Sequence, residues 1–167
     1  NLRLVTVLLG HYADGLRQQE IIQPVLAAQP DCPPDFALEL MRLHRLRISA
    51  QVVSTLVVFT FERHDTGDSL YEQVRRMRRS LDLAWAFDTP GRHVLVMLLP
   101  LAGAPALEGF LLRIENGLRQ QFQTDFTEGR VGVHTVALDE TDAARTLIDL
   151  LARARLVTQG EAAGQQA

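Results

Sequence analysis

Arg79 and Asp82, in Arg79-Ser80-Leu81-Asp82, are the residues best suited to chemistry. An arginine fork donates two parallel hydrogen bonds to O6 and N7 of a guanine, and a carboxylate accepts from its N1–H and 2-amino group. At a helix exit, such a pair can face one flat polar ligand. About one Arg-x-x-Asp is expected by chance in a chain of this composition, so its address must decide its meaning. Arg75, Arg76 and Arg78 lie just before it. Their ordinary reading is a solvated helix face, although a phosphate diester would gain from arginines nearby.

Other motifs carry less. Gly67-Asp68-Ser69-Leu70 spells a hydrolase signature, but that chemistry needs a downstream Asp-x-x-His to supply its base, and the chain has none. His11, His44, His64, His93 and His134 are scattered, and none pairs with another histidine or a cysteine at metal spacing. Phosphate-binding glycine loops are absent. The single cysteine, Cys32, excludes an internal disulfide and suits a reducing compartment. A net charge of −3 gives no pull toward a nucleic-acid polymer. All positive charge is arginine, which a GC-rich genome explains as well as ligand binding does. No apolar run has transmembrane length. The start at Asn1, in what reads as mid-helix, suggests a fragment of a longer protein.

The elements around the pair follow from periodicity. Residues 2–20 read as a helix with Leu2, Val5, Leu9, Tyr12 and Leu16 at coiled-coil spacing, which suits a missing domain or a dimer seam equally. Residues 23–34, with four prolines, read as a linker. A helix from Pro34 is expected to bury Phe36, Leu40, Leu43 and Leu46. Thr55–Phe61 reads as a strand buried on both faces. A helix over Ser69–Leu81 with Leu70, Val74, Met77 and Leu81 inward, a hairpin of Leu83–Phe87 and Val94–Leu99, a helix over Ala104–Phe122 with Leu107, Phe110, Leu111, Ile114, Leu118 and Phe122 in one stripe, a strand over Val131–Leu138 and a helix over Asp142–Leu156 complete the order. The expected fold is an α/β sandwich: a central mixed sheet surrounded by helices and preceded by a linker helix.

This order, with Arg-x-x-Asp ahead of a hairpin and Gly67-Asp68 opening the preceding helix, resembles the GGDEF domain of diguanylate cyclases. There the Arg-x-x-Asp is an inhibitory site for cyclic di-GMP. The hairpin signature falls at Gly91-Arg92-His93-Val94-Leu95, where only the first glycine survives. His93 and Val94 replace the acidic pair, and Phe59-Thr60-Phe61 stands where a metal-binding aspartate is expected. The resemblance therefore implies no catalysis, since the cyclase reaction needs divalent metal.

Arg79-Ser80-Leu81-Asp82-Leu83-Ala84-Trp85, Leu98-Leu99-Pro100-Leu101 and Glu108–Glu115 are similar to the PelD family of degenerate GGDEF domains, receptors of cyclic di-GMP in Pel exopolysaccharide systems. The resemblance implies a ligand site of Arg79, Asp82 and Arg113, with no cofactor and no metal. It implies residues 1–33 as the end of a GAF-like domain with its linker, 34–158 as the degenerate GGDEF domain and 159–167 as a loose tail. It further implies the cytoplasmic part of a bacterial inner-membrane protein, which contacts exopolysaccharide synthesis and export proteins. A purely structural docking domain and a working cyclase are the rival expectations.

Overall fold

The structure, a computed structural model, describes residues 2–164, with side chains as far as residue 155. The order is α1 (Leu2–Ala28), α2 (Pro34–Ala50), β1 (Thr55–Glu62), α3 (Asp65–Arg76), β2 (Leu83–Thr89), β3 (Arg92–Leu99), α4 (Ala104–Phe122), β4 (Gly132–Ala137) and α5 (Ala143–Gly164). The strands form one sheet in the order β2-β3-β1-β4, and each neighbouring pair is antiparallel. The α/β class is as expected, but the sheet is not mixed. Both helical crossovers are split: β1–α3–β2 leaves a gap that β3 fills, and β3–α4–β4 leaves one that β1 fills. Parallel strands therefore never touch.

β1 sits between two neighbours, and all its residues from Thr55 to Phe61 are buried. Its pleat sends alternate side chains into two cores. Leu56 and Val58 meet Phe36, Leu40 and Leu43 of α2, and Leu147 and Leu150 of α5. Val57, Phe59 and Phe61 meet Leu70 and Val74 of α3, and Ile114 and Leu118 of α4. Each such side chain contributes about 1.5–3 kcal/mol of burial.

Three helices differ from expectation in where they begin or end. α1 continues to Ala28 with Pro24 inside it, because Ile22 and Val25 are buried against α2 and α5. Tertiary packing there outweighs the helix bond that proline removes. Only residues 29–33 are left as a connection, where the Cys32 thiol is buried and its pKa pushed up to about 12 by burial and by Asp35. α3 opens at Asp65, not Ser69, and ends at Arg76, not Leu81. α5 runs on to Gly164, so the described part of the expected tail is helical, and residues 165–167 lie outside the described residues.

The α3 start explains Gly67. His64 caps the helix by accepting from the Gly67 amide at 3.3 Å. A Cβ on Gly67 would stand 1.9 Å from the Glu62 carbonyl oxygen, so only glycine lets α3 lie this close to β1. Ser69 is an exposed helix residue bonded to the Asp65 carbonyl, far from the strand-to-helix nucleophile that the hydrolase spelling would require.

Candidate functional site

Because α3 stops at Arg76, Arg79 and Asp82 lie in the connection to β2 and not on a helix face. Met77 closes the helix with a bond from its amide to the Val74 carbonyl at 3.0 Å. A turn follows, closed by the Asp82 amide on the Arg79 carbonyl at 3.1 Å. The Asp82 carboxylate reaches back: Oδ2 accepts from the Arg79 amide at 2.8 Å, and Oδ1 accepts from Nε at 3.1 Å and pairs with Nη2 at 3.0 Å. The turn is thus built by the pair itself. The Asp82 side chain has no exposed surface, whereas that of Arg79 is 38% exposed. The carboxylate faces its own arginine. No described residue bonds to Arg79 Nη1.

Arg113 comes from α4 and meets the same connection. Its Nη2 donates to the Met77 carbonyl at 2.8 Å, at the electronegative end of α3. Its guanidinium carbon lies 5.6 Å from the centre of the Phe110 ring, and that of Arg79 lies 6.0 Å from the same centre. The structure thus brings Arg79 and Arg113 to one ring, with Asp82 bonded to Arg79. Sequence reading placed Phe110 only on the buried stripe of α4, which is also true: it is 4% exposed. Its second neighbourhood depends on the α3–β2 turn folding over α4, which periodicity does not encode. Beside Arg113 a groove of about 400 Å³ runs along α4, past Gly109, Asn116 and Gln120. Arg75, Arg76 and Arg78 line a different groove against Ala84 and Ala86 of β2, and the structure does not bring them to Arg113.

The hairpin corner can be tested for the metal that the cyclase resemblance involves. The register pairs His93 with Phe61 and Val94 with Thr60, so the replaced positions do face each other across β1 and β3. Their side chains offer no carboxylate. The carboxylates nearby are already engaged: His93 Nδ1 meets Asp88 at 2.7 Å and Nε2 meets Asp68 at 2.7 Å. The imidazole also stacks on Tyr71, with ring centres 4.7 Å apart. No cluster of three metal-ligating side chains exists among the described residues. These residues do not fit a divalent cation. Instead the His93 ring bridges two aspartates. Burial lowers its pKa, but the hydrogen bonds it donates to Asp88 and Asp68 outweigh that and raise it.

Similarity to known proteins agrees with this picture. No curated protein matches the chain. Among solved structures, PelD from Pseudomonas aeruginosa PAO1 is 23% identical, with a TM-score of 0.59 over 64% of this chain and 39% of that one. PelD from Pseudomonas aeruginosa PA14 in complex with c-di-GMP is also 23% identical, with a TM-score of 0.59 over 67% of this chain and 41% of that one. The diguanylate cyclase SiaD from Pseudomonas aeruginosa, in complex with its activator SiaC, is 15% identical, with a TM-score of 0.52 over 90% of this chain and 65% of that one. At these identities the likeness establishes the fold. The chain spans about two fifths of the length of the PelD structures. The sequence pattern of the PelD GGDEF domain matches residues 30–154, most of the chain, and the chain therefore belongs to the PelD GGDEF domain family.

Proposed function

We propose that residues 34–158 form a receptor domain for cyclic di-GMP that performs no cyclase reaction. One observation carries the reading: Arg79, held by the enclosed Asp82, and Arg113 converge on the Phe110 ring, in a family with members solved with this dinucleotide. Arg79 grips the O6 and N7 edge of a guanine through its outward nitrogens. Asp82 holds that fork in place and reads the base's donors if the turn opens. Arg113 takes a second guanine. The ligand's two phosphate charges offset the two guanidinium groups. The hairpin, with His93 and Val94 in place of acids, supports a site that binds without turnover.

In this proposal the domain hangs on the cytoplasmic side of a bacterial inner-membrane protein. It passes ligand occupancy to Pel-type exopolysaccharide synthesis and export proteins. Leu2, Val5, Leu9, Tyr12 and Leu16 of α1 all remain exposed, which supports a homodimer through this helix. Leu9→Glu with Tyr12→Glu then gives a smaller species in sedimentation, and an unchanged size refutes the dimer.

Calorimetry with cyclic di-GMP tests the core reading. Arg79→Ala is expected to weaken binding at least about 30-fold, the loss of roughly 2 kcal/mol when a charged hydrogen-bond donor is removed. Absence of binding at high ligand concentration, or unchanged binding in Arg79→Ala, sinks it. A docking domain without a ligand is the second reading, and it predicts partner binding indifferent to the dinucleotide. Product from GTP with magnesium or manganese would restore the cyclase reading.

A further inference from the structure

We propose that Phe110 is the positioning residue of the dinucleotide site: its ring seats Arg79 and Arg113 together and sets the gap between them that the ligand spans. The inference rests on the reading of both arginines as ligand-binding residues. Their guanidinium carbons lie 6.0 and 5.6 Å from one ring centre, so they stand no farther apart than about 12 Å. They come from different parts of the chain, one from the α3–β2 turn and one from α4. Each is tied by a single further anchor, Asp82 for Arg79 and the Met77 carbonyl for Arg113. One contact leaves a long side chain several rotamers. A second contact against a rigid, 4% exposed ring removes most of them.

The ring has an electrostatic role as well. Two cations held close repel, and the negative face of an aromatic ring attracts each. A leucine would fill the core at 110 almost as well and supply none of this. The ring therefore lowers the ordering that binding demands of the arginines, which is where preorganised sites gain affinity.

The experiment compares the wild-type chain with Phe110→Leu, with 3,4,5-trifluorophenylalanine at position 110, and with Arg79→Ala. Calorimetry with cyclic di-GMP, thermal unfolding and arginine Nε–H resonances are measured for each. Trifluorophenylalanine keeps the ring's shape and drains its negative face, so it serves even if Phe110→Leu folds poorly. Expected are about tenfold weaker binding in Phe110→Leu and about threefold weaker binding in the fluorinated variant. The melting temperature of the fluorinated variant stays at the wild-type value. In Phe110→Leu the resonances of both Arg79 and Arg113 lose the displacement that ring currents cause. Wild-type affinity in both variants overturns the proposal, as do unmoved resonances in Phe110→Leu. Wild-type affinity in Arg79→Ala, or no binding by the wild type, overturns the dinucleotide reading instead, and the resonances still decide whether the ring seats the arginines.

Discussion

Removing Arg79 and removing Asp82 are expected to damage the domain unequally, and to damage it far less than additively. Arg79→Ala leaves a carboxylate with no exposed surface and only the backbone amide at 2.8 Å as partner. Asp82→Ala leaves a guanidinium already 38% exposed, which can turn to water, but it also opens the turn by orphaning the Arg79 amide. A fully buried pair that loses one partner costs about 3–5 kcal/mol. The exposure of Arg79 reduces that through solvent screening. We expect about 2–3 kcal/mol for Arg79→Ala, about 2 kcal/mol for Asp82→Ala, and little more for the double variant than for either alone. Urea unfolding of the four proteins gives the coupling energy directly, expected near 2 kcal/mol. Repeating it at raised salt should change it little, because one partner is enclosed. A coupling below about 0.5 kcal/mol would refute the argument that this pair builds its own turn. The result also bears on ligand assays, since a variant that loosens the turn loses affinity without touching the base.

Three further outcomes follow from other parts of the molecule. The raised pKa of His93 means that its bonds to Asp88 and Asp68 stabilise most below the unfolded value near 6.5 and fade as pH rises through the folded value. His93→Phe keeps the stack on Tyr71 but should cost about 1 kcal/mol at pH 5.5 and progressively less above pH 7, and a pH-independent cost in urea unfolding contradicts this. His134 behaves oppositely: burial, then Arg153, lowers its pKa, and its buried Nε2 has no hydrogen-bond partner among the described residues. Stability is lost as pH falls below about 6.5, so His134→Leu should flatten that acid-side decline, and an unchanged pH profile speaks against it. Gly67→Ala places a methyl against the Glu62 carbonyl, and thermal unfolding should show a loss of about 2–4 kcal/mol as α3 is pushed off β1.

The sequence carried what is local. The unbroken apolar run of β1, the stripe of α4 and the hairpin turn at Pro90-Gly91 are written in neighbouring residues, and all appear as expected. The antiparallel sheet was not legible, because it depends on β3 and β1 each entering a gap left by the other's crossover. The end of α3 was missed for a different reason. Leu81 fits the helical period, but it is 73% exposed, since Asp82 turns the chain first. Continuation of α1 through Pro24 was hidden because the burial of Ile22 and Val25 comes from α2 and α5. Of the proposed site, Arg79 and Asp82 are singled out by their chemistry, and Arg113 by family resemblance. Phe110 looked like any core aromatic until the turn was seen above it.

α1 spans 27 residues, about 40 Å at 1.5 Å per residue, and it is buried only at Ile22 and Val25. Roughly 30 Å of rod therefore projects from a short pivot. A rod of that length converts angle into distance: a 10° tilt at the pivot moves the far end by about 5 Å, one helical pitch. The pivot packs on α2 and α5, which cover the sheet face opposite α3 and α4. A repacking of about 0.8 Å across the roughly 4.5 Å of axis between Ile22 and Val25 gives that tilt, and α1 multiplies it into a step large enough to change which residues meet at its tip.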